Sequence, residues 1–430
     1  LALAASLNMG QGQDYCLARD NAPYVLFSTD TAYENIHGKS TSQVTIPQCK
    51  PVQFWLLSRH GTRYPDEEGI TAMWTLPDLR DKVVKHHEKK DRGSLCPEDL
   101  ENLKKWTPQV VLTEAEDLAI PQGYNDLYSM AKRFQSRFPT LLNQSYSRDK
   151  FEVRFTYKQR TTLTATAFLD GLFGSTSTIY LPQPLEEDPL LRPYKSCKKW
   201  QKDVDDNDDT LEEQKKFKKG SYMTNLIESV SKRLGFKDDL TIDEITAIHD
   251  ACAFEKAWRV TEVSPWCAAF SKDEHEIWEY YNDLGYYYDT GFGNKLNKKM
   301  GCPPVKDFLD RFSKIESGEE QPAGVLYFSH ASMLQLVLNP LQIAKDEEKL
   351  KHSNFEEMKD RKWRTSQITP FATNLAVVFF KCDADEEYKV QFYLGEHLLN
   401  LDGCDQGVCD WSYIKDKYGS ISEDCNLDWC

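Results

Sequence analysis

The run Phe54-Trp55-Leu56-Leu57 is apolar at every position, and one serine later the chain reads Arg59-His60-Gly61-Thr62-Arg63-Tyr64-Pro65. A short, continuous apolar run of this kind reads as a buried strand. One histidine therefore stands between two arginines at a strand end, on a turn that Gly61 opens and Pro65 closes. Arginine forks match phosphate oxygens bidentately. A neutral imidazole can attack phosphorus and form a covalent intermediate. A bare Arg-His-Gly could be an ordinary strand-to-loop turn with two solvated arginines. The full seven-residue run behind a buried strand points instead to capture of a phosphoryl group and attack on it.

The 430 residues are 40% hydrophobic, enough for one large domain or a main domain with a second lobe. There is no apolar stretch of about 18 residues, so no membrane span is expected. A net charge of −15 argues against nucleic acid as a partner, whose usual footprint is a basic surface. It does not exclude a phosphate ligand, because a local positive cleft focuses field lines even on an acidic protein. The 12 cysteines are even in number and scattered, with no Cys-x-x-Cys pair. They read as disulfides of an oxidising compartment rather than as zinc ligands. The sequon Asn143-Gln144-Ser145 makes Asn143 a glycosylation candidate. The opening Leu1-Ala2-Leu3-Ala4-Ala5-Ser6 is too short for a signal peptide and is set aside. The chain ends Asp428-Trp429-Cys430, without a retention tetrapeptide. Secretion is the expectation, with the endoplasmic reticulum lumen as the alternative.

Residues 7–50 show little periodicity and read as a stapled loop region. Apolar residues recur at helical spacing from Thr113 to Leu142, with Pro139 as the stop, and again from Thr161 to Leu172 and from Met333 to Ile343. Phe151–Tyr157, Gly324–Phe328, Phe371–Phe380 and Tyr388–Leu394 read as strands. Residues 221–318 look helical and aromatic. Strands alternating with helices at both ends give an α/β fold with a mixed central sheet flanked by helices. The expected division is a disulfide-stapled extension over 1–50, an α/β domain from 51–175 and 321–430, and an inserted, mainly helical lobe over 176–320. In open α/β sheets ligands sit beyond the carboxyl ends of strands, and His60, Arg160 and His330 each follow a predicted strand.

The seven-residue run resembles the signature of the histidine acid phosphatases, the branch of the histidine phosphatase superfamily that includes phytases. Its spelling is most similar to that of the multiple inositol polyphosphate phosphatases. Gln159-Arg160-Thr161, Ser329-His330-Ala331, and Gly123-x-x-Asp126 followed by Arg133 and Arg137-Phe138-Pro139 extend the resemblance over most of the chain. The resemblance implies an α/β domain plus a smaller helical one, with the site in the cleft between. It implies that His60 becomes phosphohistidine and that Arg59, Arg63 and Arg160 bind phosphate. It also implies a second site histidine at His330, which donates to the phosphoryl oxygens. A helix N-terminus at Arg160 would add its free N–H groups.

The chain departs from that family at one place. The inositol polyphosphate branch has His-Ala-Glu, and the acid phosphatases His-Asp, where the carboxyl protonates the leaving oxygen; here Ser332 stands at the position of the glutamate. General acid catalysis is worth about 10²- to 10⁴-fold in rate. Three readings follow: another carboxylate substitutes, with Asp66, Glu67, Glu68 and Glu396 as candidates; turnover is slow; or the protein binds phosphorylated small molecules without turnover. The lysines at 82–90 and 195–219 could line the cleft mouth, although such runs are more often solvated surface. Neighbouring His86 and His87 point different ways on a helix, so no metal is assigned. No cofactor is expected. The expected partner is a phosphorylated small molecule, and the chain is expected to be monomeric.

Overall fold

The computed structural model describes residues 15–175, 179–383 and 387–430. The opening Leu1–Ser6, the remainder of residues 1–14 and the expected lobe boundary at 176–178 lie outside the described residues. Seven strands form one mixed sheet: β1 (Cys49–Arg59), β2 (Phe151–Phe155), β3 (Gly324–Ser329), β4 (Asn374–Cys382), β5 (Tyr388–Leu394), β6 (His397–Leu398) and β7 (Cys409–Asp410). Their order is β2-β3-β1-β4-β5-β6, with β7 also on β5. Strands β2, β3 and β1 run parallel, and β4 to β7 pair antiparallel.

The apolar runs are continuous because helices cover both faces of the sheet. Phe54 and Leu56 enter one core with the helices Gln122–Arg137 and Gln159–Phe173. Trp55 and Leu57 enter the other, with the helices Cys302–Glu316, Ala331–Leu341 and Trp411–Asp424. That second core runs without a break into the helices Ser221–Arg233, Ile242–Trp258 and Lys272–Asp289. The α/β class read from the sequence therefore holds. The periodicity over Thr113–Leu142 becomes two helices, Gln122–Arg137 and Pro139–Leu142, because Pro121 and Pro139 lack the N–H that would continue a helix and instead stand at helix starts. The two-residue strands β6 and β7 are too short to carry a periodic signal, whereas the terminal helix Trp411–Asp424 buries Trp411, Ile414 and Tyr418 at helical spacing.

All cysteines among the described residues are paired: Cys16–Cys96, Cys49–Cys382, Cys197–Cys430, Cys252–Cys267, Cys302–Cys425 and Cys404–Cys409. Cys49–Cys382 fastens β1 to β4 across 333 residues of sequence. Closing loops longer than 100 residues limits the unfolded chain by an amount worth about 5–6 kcal/mol each in the chain-entropy model.

Candidate active site

The parallel register sets the site. Arg59 lies opposite Ser329, and Phe155 opposite Phe328, so three strands end together. His60, Thr156 and His330 therefore emerge side by side at the carboxyl edge. Antiparallel β4 begins at this edge, with Asn374 opposite Ser58, and brings the preceding loop with it. His60 N–H donates to Ser329 O at 3.0 Å, and Ala372 N–H donates to His60 O at 3.0 Å.

His60 is 3% exposed. Its Nδ1 is 2.9 Å from Gly61 O. A carbonyl only accepts, so Nδ1 carries the proton and Nε2 keeps the lone pair. Burial, then the charges of Arg59, Arg160, His330 and Arg63, holds the imidazole well below its usual pKa. The His330 ring centroid is 5.6 Å away. Thr161 Oγ1 donates to Thr156 O at 2.8 Å and Thr156 Oγ1 donates to Thr161 Oγ1 at 3.0 Å, so His330 Nε2–H donates to Thr156 Oγ1 at 2.8 Å. Burial, then Arg160 and Arg192, keeps His330 neutral as well.

The turn after His60 is held from below. Gly61 N–H donates to Thr164 Oγ1 at 3.0 Å, and Thr62 donates through N–H and Oγ1 to Asp126 Oδ2 at 3.1 and 2.7 Å. A Cβ on Gly61 would lie 2.2 Å from Gly123 O, and one on Gly123 would lie 2.2 Å from Thr62 O. Both positions thus need glycine for backbone to meet backbone. The Gly123-x-x-Asp126 spacing has this packing as its physical reason.

The structure brings all three predicted arginines to this edge. Arg59 is buried and lies 4.5 Å over the Phe371 ring, and its Nη1 donates to Thr29 O and, at 2.9 Å, to Thr369 O. Arg63 is half-buried and lies 5.6 Å from the Phe254 ring, with Nη1 donating to Tyr64 O at 2.7 Å. Arg160, on the first turn of its helix, meets Glu116 at 3.3 Å. The Nε groups of Arg59 and Arg160 are buried without a hydrogen-bond partner among the described residues. A cavity of about 470 Å³ opens beside Arg160, lined by Glu116, Lys158 and Tyr157.

A fourth arginine, Arg192, has no motif around it and escaped the sequence reading. Arg154 on β2 grips Asp188 with two bonds of 2.8 Å, Asp188 caps the N–H groups of Leu190 and Leu191, and Ser329 Oγ donates to Leu191 O at 2.7 Å. These bonds pin the segment before Arg192 to the ends of β2 and β3. The charge of Arg192 acts on both His330 and Arg160, and its Nε is also buried and unpartnered. Ser332, on the first turn of the helix Ala331–Leu341, stands close to the Tyr194 phenol, whose pKa burial raises against the pull of Arg192, Arg160 and Ser332.

Among the carboxylates considered as substitutes, Glu396 is buried in a different place. It takes two bonds of 2.8 and 2.6 Å from Arg133 and one of 2.7 Å from Tyr33, while Arg137 binds its carbonyl. Asp66 accepts from Gly69 N–H at 2.8 Å as the cap of the helix Glu67–Met73, where Glu67 and Glu68 are exposed. The lysines of 82–90 and 195–219 are exposed, and several pair with nearby acids such as Lys199 with Asp203. His87 donates to Val83 O and accepts from Leu95 N–H, while His86 packs on Phe236.

Residues 52–395 match the model of the histidine phosphatase superfamily, branch 2. Multiple inositol polyphosphate phosphatase 1 of Drosophila melanogaster is 35% identical over 427 residues, covering 97% of this chain and 90% of that relative. The phytase of D. castellii superposes with a TM-score of 0.72 at 17% identity, covering 94% of this chain and 85% of that one. The multiple inositol polyphosphate phosphatase of Bifidobacterium longum, solved with inositol hexasulfate, superposes at 0.69 with 11% identity over 93% and 98% of the two chains. The two likenesses of structure concern the fold; the match over most of the sequence concerns descent, and by it this chain belongs to the histidine phosphatase superfamily, branch 2.

Proposed function

We propose that this phosphatase hydrolyses phosphomonoesters of inositol polyphosphates through a phosphohistidine at His60, with Arg59, Arg63 and Arg160 holding the phosphoryl oxygens and His330 beside them. One observation carries the reading: His60 Nε2 keeps its lone pair at a strand edge crowded with guanidinium groups, three of them with buried, unpartnered Nε–H. A buried donor without a partner costs about 1–3 kcal/mol, which a phosphoryl oxygen would recover. The names of the sequence relatives supply the substrate class. Six disulfides, and the lack of a helix able to cross a membrane among the described residues, support a secreted or lumenal site of action. Asn143 is exposed and open to glycosylation.

Ser332 favours a second reading, in which the same cleft sequesters phosphorylated small molecules without turnover. Incubation with inositol hexakisphosphate from pH 4 to 8, reading phosphate release and binding together, separates the two. Release that His60→Ala abolishes supports the hydrolase. Tight binding with no release at any pH sinks it in favour of sequestration.

A further inference from the structure

The site lacks the carboxyl that Ser332 replaces, yet the wall around Arg63 supplies two. Asp30 ends the turn Ser28–Asp30, whose Thr29 O accepts from Arg59 and whose Thr29 Oγ1 lies 3.0 Å from Tyr286 OH. The next residue, Thr31, accepts at its carbonyl from Phe371 N–H at 3.1 Å. Asp250 lies on the helix Ile242–Trp258, one turn before Phe254 and two turns before Trp258. Residues four apart share a helix face. Phe254 lies under the Arg63 guanidinium and 6.1 Å from Phe371, and Trp258 Nε1 donates to Arg63 O at 3.0 Å. Phe371 is in turn 6.4 Å from the His60 ring. The face that carries Asp250 therefore lies on the Arg63 side of the nucleophile.

Two features set these carboxyls apart from the structural ones. Asp126, Asp188 and Asp283 are saturated by N–H and O–H donors. Asp30 and Asp250 are half-buried and accept no hydrogen bond among the described residues. They also interact with each other. Burial first, then the charges of Asp30 and Asp66, pushes Asp250 up to about 8 against the pull of Arg63. Burial also pushes Asp30 up, with Arg63 and Arg59 opposing and Asp66 adding to the rise. A carboxyl that burial and neighbouring carboxylates push up in this way keeps its proton and has it to give.

We propose that the Asp30–Asp250 pair is the proton donor of this phosphatase, in place of the acid missing at Ser332. The assignment rests on the hydrolase reading given above. The Nε2 lone pair of His60 forms the N–P bond, the P–O ester bond breaks, and its electron pair stays on oxygen. The carboxyl pair gives that oxygen its proton, so an alcohol leaves and the pair gains one negative charge. Water then attacks phosphorus, the P–N bond breaks with its electrons returning to Nε2, the pair takes the proton from water, and inorganic phosphate departs.

An inositol alkoxide needs that proton and a nitrophenolate does not. Asn reproduces the shape of a protonated carboxyl, so Asp250→Asn and Asp30→Asn are compatible with the fold, which circular dichroism and retained binding of inositol hexakisphosphate check. Each variant should lose kcat on inositol hexakisphosphate by about 10²-fold or more, and at least tenfold more than on p-nitrophenyl phosphate. In the wild type, the ratio of the two rates should fall as pH rises through about 8, where Asp250 ionises beside Asp30, Asp66, Arg63, Arg59 and Tyr286, and Asp250→Asn should remove that dependence. An active wild type whose two variants lose both substrates equally, or lose neither, overturns the assignment alone. A wild type that binds inositol hexakisphosphate and releases phosphate from neither ester overturns the hydrolase reading itself, and the assignment with it.

Discussion

Two groups of arginines in this molecule are built oppositely. Away from the site, Arg361, Arg364 and Arg133 each grip a buried carboxylate, while buried Arg137 lies over the Tyr393 ring and donates to the Glu396 carbonyl. Arg361 and Asp283 meet at 2.6 and 2.8 Å, Arg364 and Glu279 at 2.7 and 2.9 Å, and Arg133 and Glu396 at 2.6 and 2.8 Å. Thr365 and Ser366 fill the remaining lone pairs of Asp283 and Glu279. At the strand ends, Arg59 and Arg63 hold only carbonyls, and the partner of Arg160, Glu116, is 40% exposed. Arg59 is disfavoured by its own burial and by Arg63, with Asp30 and Tyr286 helping it, and Arg160 is disfavoured by burial and, against Glu116, by Arg63 and Arg192. A cancelled charge serves the fold. A buried charge left uncancelled costs stability and is kept for an anion from outside.

The largest effect that would sharpen this contrast comes from breaking a cancelled pair. Asp283→Asn should destabilise by about 3–5 kcal/mol, because it strands Arg361, which is only 7% exposed. Urea unfolding measures it, and a loss under about 1 kcal/mol would mean the pair is not what holds that region. Arg160→Ala should act in the reverse sense. It should lower the rate by about 10²- to 10³-fold, as loss of a donor to developing charge does, while the unfolding midpoint stays level or rises. The same variant tests the ionisation of His60. His60 folded is held below its usual value, so it stays neutral and reactive at acid pH and is lost only as pH falls through that depressed value. Removing a nearby cation moves that value up, so the acid limb of the rate profile should begin at higher pH; an unmoved limb would show that Arg160 does not reach the nucleophile. Arg192→Ala should have the smallest effect, about tenfold in kcat/KM, the lower end for one charge-assisted hydrogen bond. No change at all would place Arg192 with the structural arginines.

Much of this was legible from local pattern. Apolar runs marked β1, β3, β4 and β5, because strands covered on both faces need no alternation. The seven residues after β1 carried their chemistry within one turn of chain. Arg160 was visible as a helix start after a strand. Arg192 was not, because its place depends on Arg154 gripping Asp188, 34 residues away. Glu396 showed the opposite failure: its side chain is committed to Arg133, 263 residues earlier. Asp30 and Asp250 carry no spacing signal either, since a turn and a helix 220 residues apart in sequence meet only around Arg63.

What the sequence determined by itself is the strand that ends in Arg59 and His60, and with it a nucleophile and an anion site, because hydrophobic period and turn chemistry act over a few residues. Only the tertiary structure decided which arginines are neutralised, which nitrogen of His60 keeps its lone pair, that Ser332 stands close to Tyr194, and that two carboxyls gather around Arg63. Those are matters of long-range pairing and burial, and burial, which penalises charge, sets the protonation of His60, His330 and Asp250 alike.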